Sequence, residues 1–230
     1  MMDNGKITVQ VKGTPLIKFQ STERIESLRK GKIYAKTLRY YREREQETGD
    51  DAVGDMYEAM LHVNEGSLVF DDTGEKIDLN DSLIETKNSN DFVFCMFGIY
   101  PELDSFEFSE TQKEKMQSFG DTALLVLDSE EFIKRVKCSA EEKGYEFHFD
   151  GVKYYDSTED CGNLIISLMQ GMWNISFWKR EKYRYQQEAR FVFTPGNGED
   201  HIELDIGDIS DITAVLPAKQ VLTAMVAKNK

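Results

Sequence analysis

The run Phe92-Val93-Phe94-Cys95-Met96-Phe97-Gly98-Ile99 is nearly continuous in apolar side chains. Side chains alternate across a strand, so a run of this kind fits a strand covered on both faces. It requires a layer on each side of the sheet that holds it. Thr122 to Leu127 makes the same demand a second time. Around these two central strands the chain alternates short strands with charged helical segments. That pattern predicts an α+β fold, with a mixed, mainly antiparallel central sheet and flanking helices. No repeat, low-complexity tract or proline-rich linker interrupts it. Residues 1–230 read as a single α+β domain, with 60–90 as a hairpin excursion.

Local signals place the remaining elements. Ile7 to Val11 alternates as a strand, and Leu16 to Phe19 is a second one after the Gly13-Thr14-Pro15 turn. Ser21 or Thr22 caps a helix whose Ile25 and Leu28 face inward and which Gly31 stops. Lys32 to Leu38 is a strand, and Arg39 to Glu47 is a charged helix. His62 to Phe70 and Glu75 to Leu79 pair across Asp71-Asp72-Thr73-Gly74. Ser109 to Ser118 is helical, and Asp128 or Ser129 caps the helix that carries Phe132 and Val136. Tyr145 to Phe149 and Val152 to Tyr155 read as a hairpin around Asp150-Gly151, and Ile165 to Trp178 as a helix. Tyr183 to Phe193 alternates as a strand closed by Thr194-Pro195-Gly196. His201 to Leu204 and Ile212 to Leu216 are strands, and Pro217 starts a helix running to Lys228.

Composition removes several classes. The formal charge is −14 and the pI about 4.7, a balance that argues against direct nucleic-acid binding. No apolar run reaches the roughly eighteen residues of a membrane span, so no membrane is expected. The polar start, Met1 to Gly13, lacks the order of a secretory signal. Cys95, Cys138 and Cys161 are odd in number and widely spaced, which argues against a disulfide framework or a zinc site. Together these predict a cytoplasmic protein. His62, His148 and His201 have no metal-like spacing, and neither a Walker loop nor Gly-x-Gly-x-x-Gly is present. No metal site is expected.

Three constellations carry chemistry. Gln186 and Glu188 lie two residues apart on the predicted late strand, beside Arg190. There a carboxylate can stabilise an oxocarbenium-like centre while the amide orients an acceptor. The alternative is an ion ladder in which Glu188 pairs with Arg184 or Arg190. Asp55 and Glu58, three apart in Gly54-Asp55-Met56-Tyr57-Glu58, can bind a sugar, a base or a cation, or can simply cap a helix. Lys18, at a strand end before a helix N-terminus, can hold an anion or merely be solvated.

In order along the chain, Lys18-Phe19, Gly31-Lys32-Ile33-Tyr34, Gly54-Asp55-Met56-Tyr57-Glu58, Phe94-Cys95-Met96-Phe97, Phe119 to Leu125, Val152-Lys153-Tyr154 and Tyr185 to Phe191 resemble an uncharacterised family of bacterial and phage domains. Its pattern is an early Lys-Tyr, an Asn-Asp-Pro-Phe-Glu motif, a central Cys-Phe strand and a late Glu-x-x-Arg-like strand. Here Gly stands for the Asn and Met for the Pro, and the family's His is missing from the Phe119 segment. The likeness spans about residues 16–216 and brings no activity with it.

A looser resemblance is to ADP-ribosyltransferase folds, with Lys18, Tyr34 or Thr37, and Glu188 in the polar, aromatic and acidic roles. The first-strand His or Arg of those enzymes has no counterpart here. That resemblance implies a nucleotide-sugar site with NAD as its ligand. Glu188 and Gln186 would be its catalytic pair. Lys18, Tyr34, Tyr41, Asp55, Glu58 and Arg190 would be its ligand contacts. The alternative is a non-enzymatic acidic protein, of prophage or phage anti-defence type, that inhibits a basic or nucleic-acid-binding host partner. A third reading gathers Asp55, Glu58 and Glu188 around a divalent cation.

Overall fold

The computed structural model describes residues 2–3, 6–8, 11–49, 53–85, 87–99, 105–156, 165 and 175–228. Among these the main sheet has eight strands: β1 (Leu16–Gln20), β2 (Lys32–Thr37), β3 (Phe92–Gly98), β4 (Thr122–Val126), β5 (Glu146–Gly151), β6 (Glu188–Thr194), β7 (His201–Asp205) and β8 (Thr213–Pro217). Their order is β5-β6-β3-β1-β4-β8, and β2 and β7 branch from β3. Every pairing between these strands is antiparallel. The fold is α+β.

β3 is the strand that the apolar run predicted, and it meets two partners along one edge. Leu16 and Ile17 of β1 pair with Gly98 and Phe97 at one end. Lys36 and Thr37 of β2 pair with Val93 and Phe92 at the other. The sheet therefore forks, and the middle of that edge lies between the branches. Helix α1 (Thr22–Arg29) connects the two branches and buries Ile25 and Leu28 against them. Gly31 then turns the chain into β2 with φ +88°, and an added Cβ would lie 2.0 Å from the Gly207 carbonyl oxygen. Position 31 requires glycine for its conformation and for its clearance.

One face of the sheet is a continuous apolar layer. Phe92, Phe94, Phe191, Phe193 and Leu124 pack against α1 and against Phe132, Val136 and Ala140 of α4 (Ser129–Glu142). Phe92, Phe191 and Phe193 are fully buried. Each contributes about 1.5–3 kcal/mol relative to exposure, while an exposed ion pair contributes about 0–1. The aromatic layer, not surface charge, holds the sheet.

The opposite face carries two separate clusters. Ile17, Phe19, Phe97 and Leu125 pack against α3 (Glu110–Met116) and α5 (Ala218–Ala224). Val93 and Val192 pack under Leu38, at the start of α2 (Leu38–Thr48), and under Leu61, Val63 and Phe177. The 60–85 excursion is a nested hairpin: Met60–Val63 pairs with Ser82–Glu85, and Ser67–Val69 with Lys76–Asp78. Ser109 forms a capping box with Gln112, and Asp128 caps α4 by accepting from the Glu131 N–H. No helix of the described residues is long and apolar enough to cross a membrane.

The structure corrects the sequence reading in four places. Tyr145 to Tyr155 is not a hairpin. Glu146–Gly151 pairs with β6, and Lys153–Tyr155 pairs in parallel with Trp178–Arg180. The helix expected from Ile165 to Trp178 falls mostly outside the described residues, and its end is a 3-10 turn (Ile175–Phe177) running into that strand. The last helix ends at Ala224, and Met225–Lys228 is a strand. Tyr183 to Gln187 is not strand either: Glu181–Gln186 is a 3-10 turn, Gln187 has φ +42°, and β6 begins at Glu188.

Candidate functional site at the fork of the sheet

Where β1 and β2 part, the middle of β3 lacks a ladder partner on that side. A buried backbone carbonyl needs a donor, and Lys18 supplies it: Nζ donates to the Cys95 carbonyl oxygen at 2.6 Å. The ammonium also lies 4.7 Å from the centre of the Phe94 ring. Burial pushes the Lys18 amine below its ordinary value, against the opposing pull of Cys95 and Glu188. Lys18 is the polar plug of the fork.

Beside it is a recess of about 70 Å³, bordered by Lys18, Gln186 and Glu188, with Ile17, Phe19, Phe97 and Met116 among its apolar walls. It lies where the two clusters of that face separate, since Ile17, Phe19, Phe97 and Met116 belong to one and Cys95 borders the other. Burial pushes the Cys95 thiol up to about 12.

Behind the recess is a buried ion cluster. Lys179 Nζ donates to Gln186 Oε1 at 2.7 Å and to Glu188 Oε1 at 2.6 Å. Arg190 Nε donates to Glu188 Oε2 at 2.8 Å, and its two terminal nitrogens hold Glu58 at 2.7 and 3.1 Å. Arg190 Nη1 also reaches the Ser176 carbonyl oxygen at 2.5 Å. Next along the chain, Arg180 holds Asp55 Oδ1 at 2.6 Å and stacks over Tyr57 at 4.3 Å. Asp55, Glu58 and Glu188 face Lys179, Arg180 and Arg190, three acids against three cations. All but Arg180 are buried, and Arg190 is only 1% exposed.

Burial alone would raise the Glu188 carboxyl, but Arg190 and Lys179 outweigh it and hold Glu188 well below the usual carboxylate range. Burial prevails at Glu58 and raises it, against Arg190 and Lys179. Lys179 keeps its proton above the ordinary lysine range: burial opposes this, and Glu188 and Glu58 overcome it.

The structure thus brings Lys18, Gln186 and Glu188 to one recess, and sets Glu58 and Arg190 directly behind it. Tyr41 is adjacent. Burial raises its hydroxyl, with Cys95 and Glu188 adding to the effect. Asp55 stands one pair further away. It forms no helix cap: its Oδ1 accepts from the Tyr57 N–H within a turn. Tyr34 is elsewhere, 48% exposed on the outer branch and stacked on His201 at 4.6 Å.

The ion-ladder alternative is half realised. Glu188 does pair with Arg190, but in the middle of a buried sheet, and Arg184 pairs with Glu181 instead. The divalent-cation reading is overturned, because the three carboxylates are separated by guanidinium and ammonium groups. Among the described residues no group of three or more metal-ligating side chains is arranged to hold an ion.

Sequence reasoning missed Lys179 and Arg180. Their one signal is two consecutive cations after a tryptophan in a strongly acidic chain. No protein-family model, curated protein or solved structure matches this chain.

Proposed function

We propose that the fork recess binds one polar end of a nucleotide sugar of the NAD or ADP-ribose type. The observation that carries this reading is the meeting of Lys18, Gln186 and Glu188, from distant parts of the chain, around one recess. Ligand pockets that enclose a drug-sized molecule run to about 300–1,000 Å³, far above the 70 Å³ here. Only one end of such a ligand enters, and the remainder lies outside. Lys18 offers the entering group a donor. Glu188 and Gln186 offer acceptors already oriented by Lys179.

The charge of Glu188 is offset by Lys179 and Arg190, so recognition comes before ribosyl-cation chemistry in this reading. The test is a thermal-shift titration with NAD and ADP-ribose. A ligand at about a hundredfold its Kd adds roughly 2.7 kcal/mol of stability. The expected result is a rise in Tm that Lys18→Met removes. No rise with either ligand would discard the reading.

The nested hairpin favours a second reading, an acidic protein that docks on a basic partner. Val69, Phe70, Ile77 and Leu83 are exposed at 59%, 39%, 42% and 51%, beside Asp71, Asp72, Glu75 and Asp78. Exposed apolar groups with a mainly acidic rim, in which Lys76 is the exception, suit a protein interface more than solvent. A complex with a basic nucleic-acid-binding protein should weaken with salt, be lost in Phe70→Ser with Ile77→Ser, and survive Glu188→Ala. Indifference to the hairpin pair would remove this reading.

A further inference from the structure

We infer that Lys18 is a nucleophilic amine and that the fork recess is a covalent imine site for the open-chain aldehyde of a reducing sugar. This rests on the sugar-nucleotide reading above and names the reactive end of the ligand.

Two lysines lie near Glu188, Lys179 buried and Lys18 partly buried. Lys179 lies 2.6 Å from Glu188 and 3.8 Å from Glu58. It is held as an ammonium. Lys18 borders the same recess, but among the described residues its close contacts are a backbone carbonyl and a phenyl face. An ammonium whose direct contacts are a carbonyl and a ring, with Glu188 only across the recess, gives up its proton more readily than one bonded between carboxylates. Desolvation among apolar walls is a recognised way of making a lysine nucleophilic. The fold has divided the work, with one lysine neutralising the acids and the other left reactive.

The size of the recess sets the ligand class. At about 70 Å³ it is far smaller than the roughly 300–1,000 Å³ that encloses a whole drug-sized ligand. A small terminal group such as an aldehyde suits it, with the rest of the ligand outside. Gln186 and Glu188 on the border give the sugar hydroxyls an amide and a carboxylate to meet.

The step balances without a redox partner. The amine lone pair of Lys18 attacks the aldehyde carbon, and the carbonyl π pair moves to oxygen, which takes a proton. One of the two amine protons supplies that hydroxyl; the second passes to it as it leaves as water, and the nitrogen lone pair forms the C=N bond. The sum is one aldehyde and one amine giving one imine and one water.

The test is reductive trapping. ADP-ribose is incubated with the full chain and cyanoborohydride at about pH 8, between the ordinary lysine and histidine values, and the adducts are mapped by peptide mass spectrometry. The expected outcome is a Lys18 adduct in about tenfold or greater excess over that at exposed Lys134. Lys18→Arg keeps a donor for the Cys95 carbonyl and should abolish that adduct while leaving the far-ultraviolet circular dichroism unchanged.

ADP-ribose that raises the Tm but labels Lys18 no faster than Lys134 overturns the imine site and leaves the binding reading intact. Selective labelling of Lys18 by glycolaldehyde, without any effect of ADP-ribose, supports the reactive amine and discards the nucleotide. Absence of both effects overturns both.

Discussion

Arg190 shows how one side chain can decide whether a buried polar cluster is tolerated. Its guanidinium serves Glu188, Glu58 and the Ser176 carbonyl at once. Taking a charge out of water costs several kcal/mol, and only close, well-bonded counter-charges offset that. Arg190→Met would leave two carboxylates facing Lys179 alone. The expected loss is about 3–5 kcal/mol, read as a lower urea midpoint. Adding Glu58→Gln and Glu188→Gln to the same chain should restore part of it, because the stranded charges are then gone. A single Arg190→Met variant within about 1 kcal/mol of the parent would mean that water reaches the cluster.

At the scale of elements, one of the closest tolerances is at the join of α1 and β2. Gly31 combines φ +88° with a 2.0 Å approach to the Gly207 carbonyl oxygen, and its own carbonyl accepts from the Ile206 N–H at 2.9 Å. Gly31→Ala should cost about 1–3 kcal/mol for the backbone conformation alone, plus whatever the displaced turn after β7 adds. Gly144→Ala is the control: φ +83° with nothing near the added methyl. Equal urea midpoints for the two variants would show that the close approach does not matter.

This join was legible in the sequence because a glycine after a short amphipathic helix is a local signal, although the side-chain cap expected from Ser21 or Thr22 does not form. So were β3, β4 and the cap at Asp128, where apolar runs and N-cap residues act over a few positions. Tyr183 to Gln187 was not. Its aromatics alternate like a strand, yet the chain turns in 3-10 geometry so that Gln186 meets Lys179. The hairpin expected at Tyr145 to Tyr155 failed for the opposite reason, since the partner of Glu146–Gly151 lies some forty residues on, in β6. The recess followed the same rule. Lys18 and Glu188 could be named one at a time, but the fork that brings them together is a property of the whole sheet.

For the molecule as a whole, acid should be destabilising, and the sign follows from the carboxylates. Glu188 is depressed in the fold because Arg190 and Lys179 outweigh its burial. Its contribution is complete above the unfolded value of about 4.3 and disappears as pH falls towards the folded one. Hydrogen bonds from the Glu131 N–H, Lys32 and Arg135 lower Asp128, Asp205 and Asp211 in the same sense. Glu58, raised by burial, acts the other way: it favours the fold at low pH and that gain is lost as pH rises through its folded value. Relief of repulsion in a chain of charge −14 also favours the acid side, but over longer, salt-screened distances. The buried and bonded acids dominate. The urea midpoint should fall between about pH 5 and pH 2, and fall less in Glu188→Gln. A level or rising midpoint through that window would contradict the assignment.

Lys179 and Arg180 are consecutive residues, yet one grips the acid at the recess and the other grips the acid at the foot of the 60–85 arm. A single peptide bond is therefore the shaft of a lever with a hand at each end. Any coupling between the two grips is symmetric: what a visitor at Glu188 changes at Asp55, a visitor at Asp55 changes at Glu188 by the same free energy.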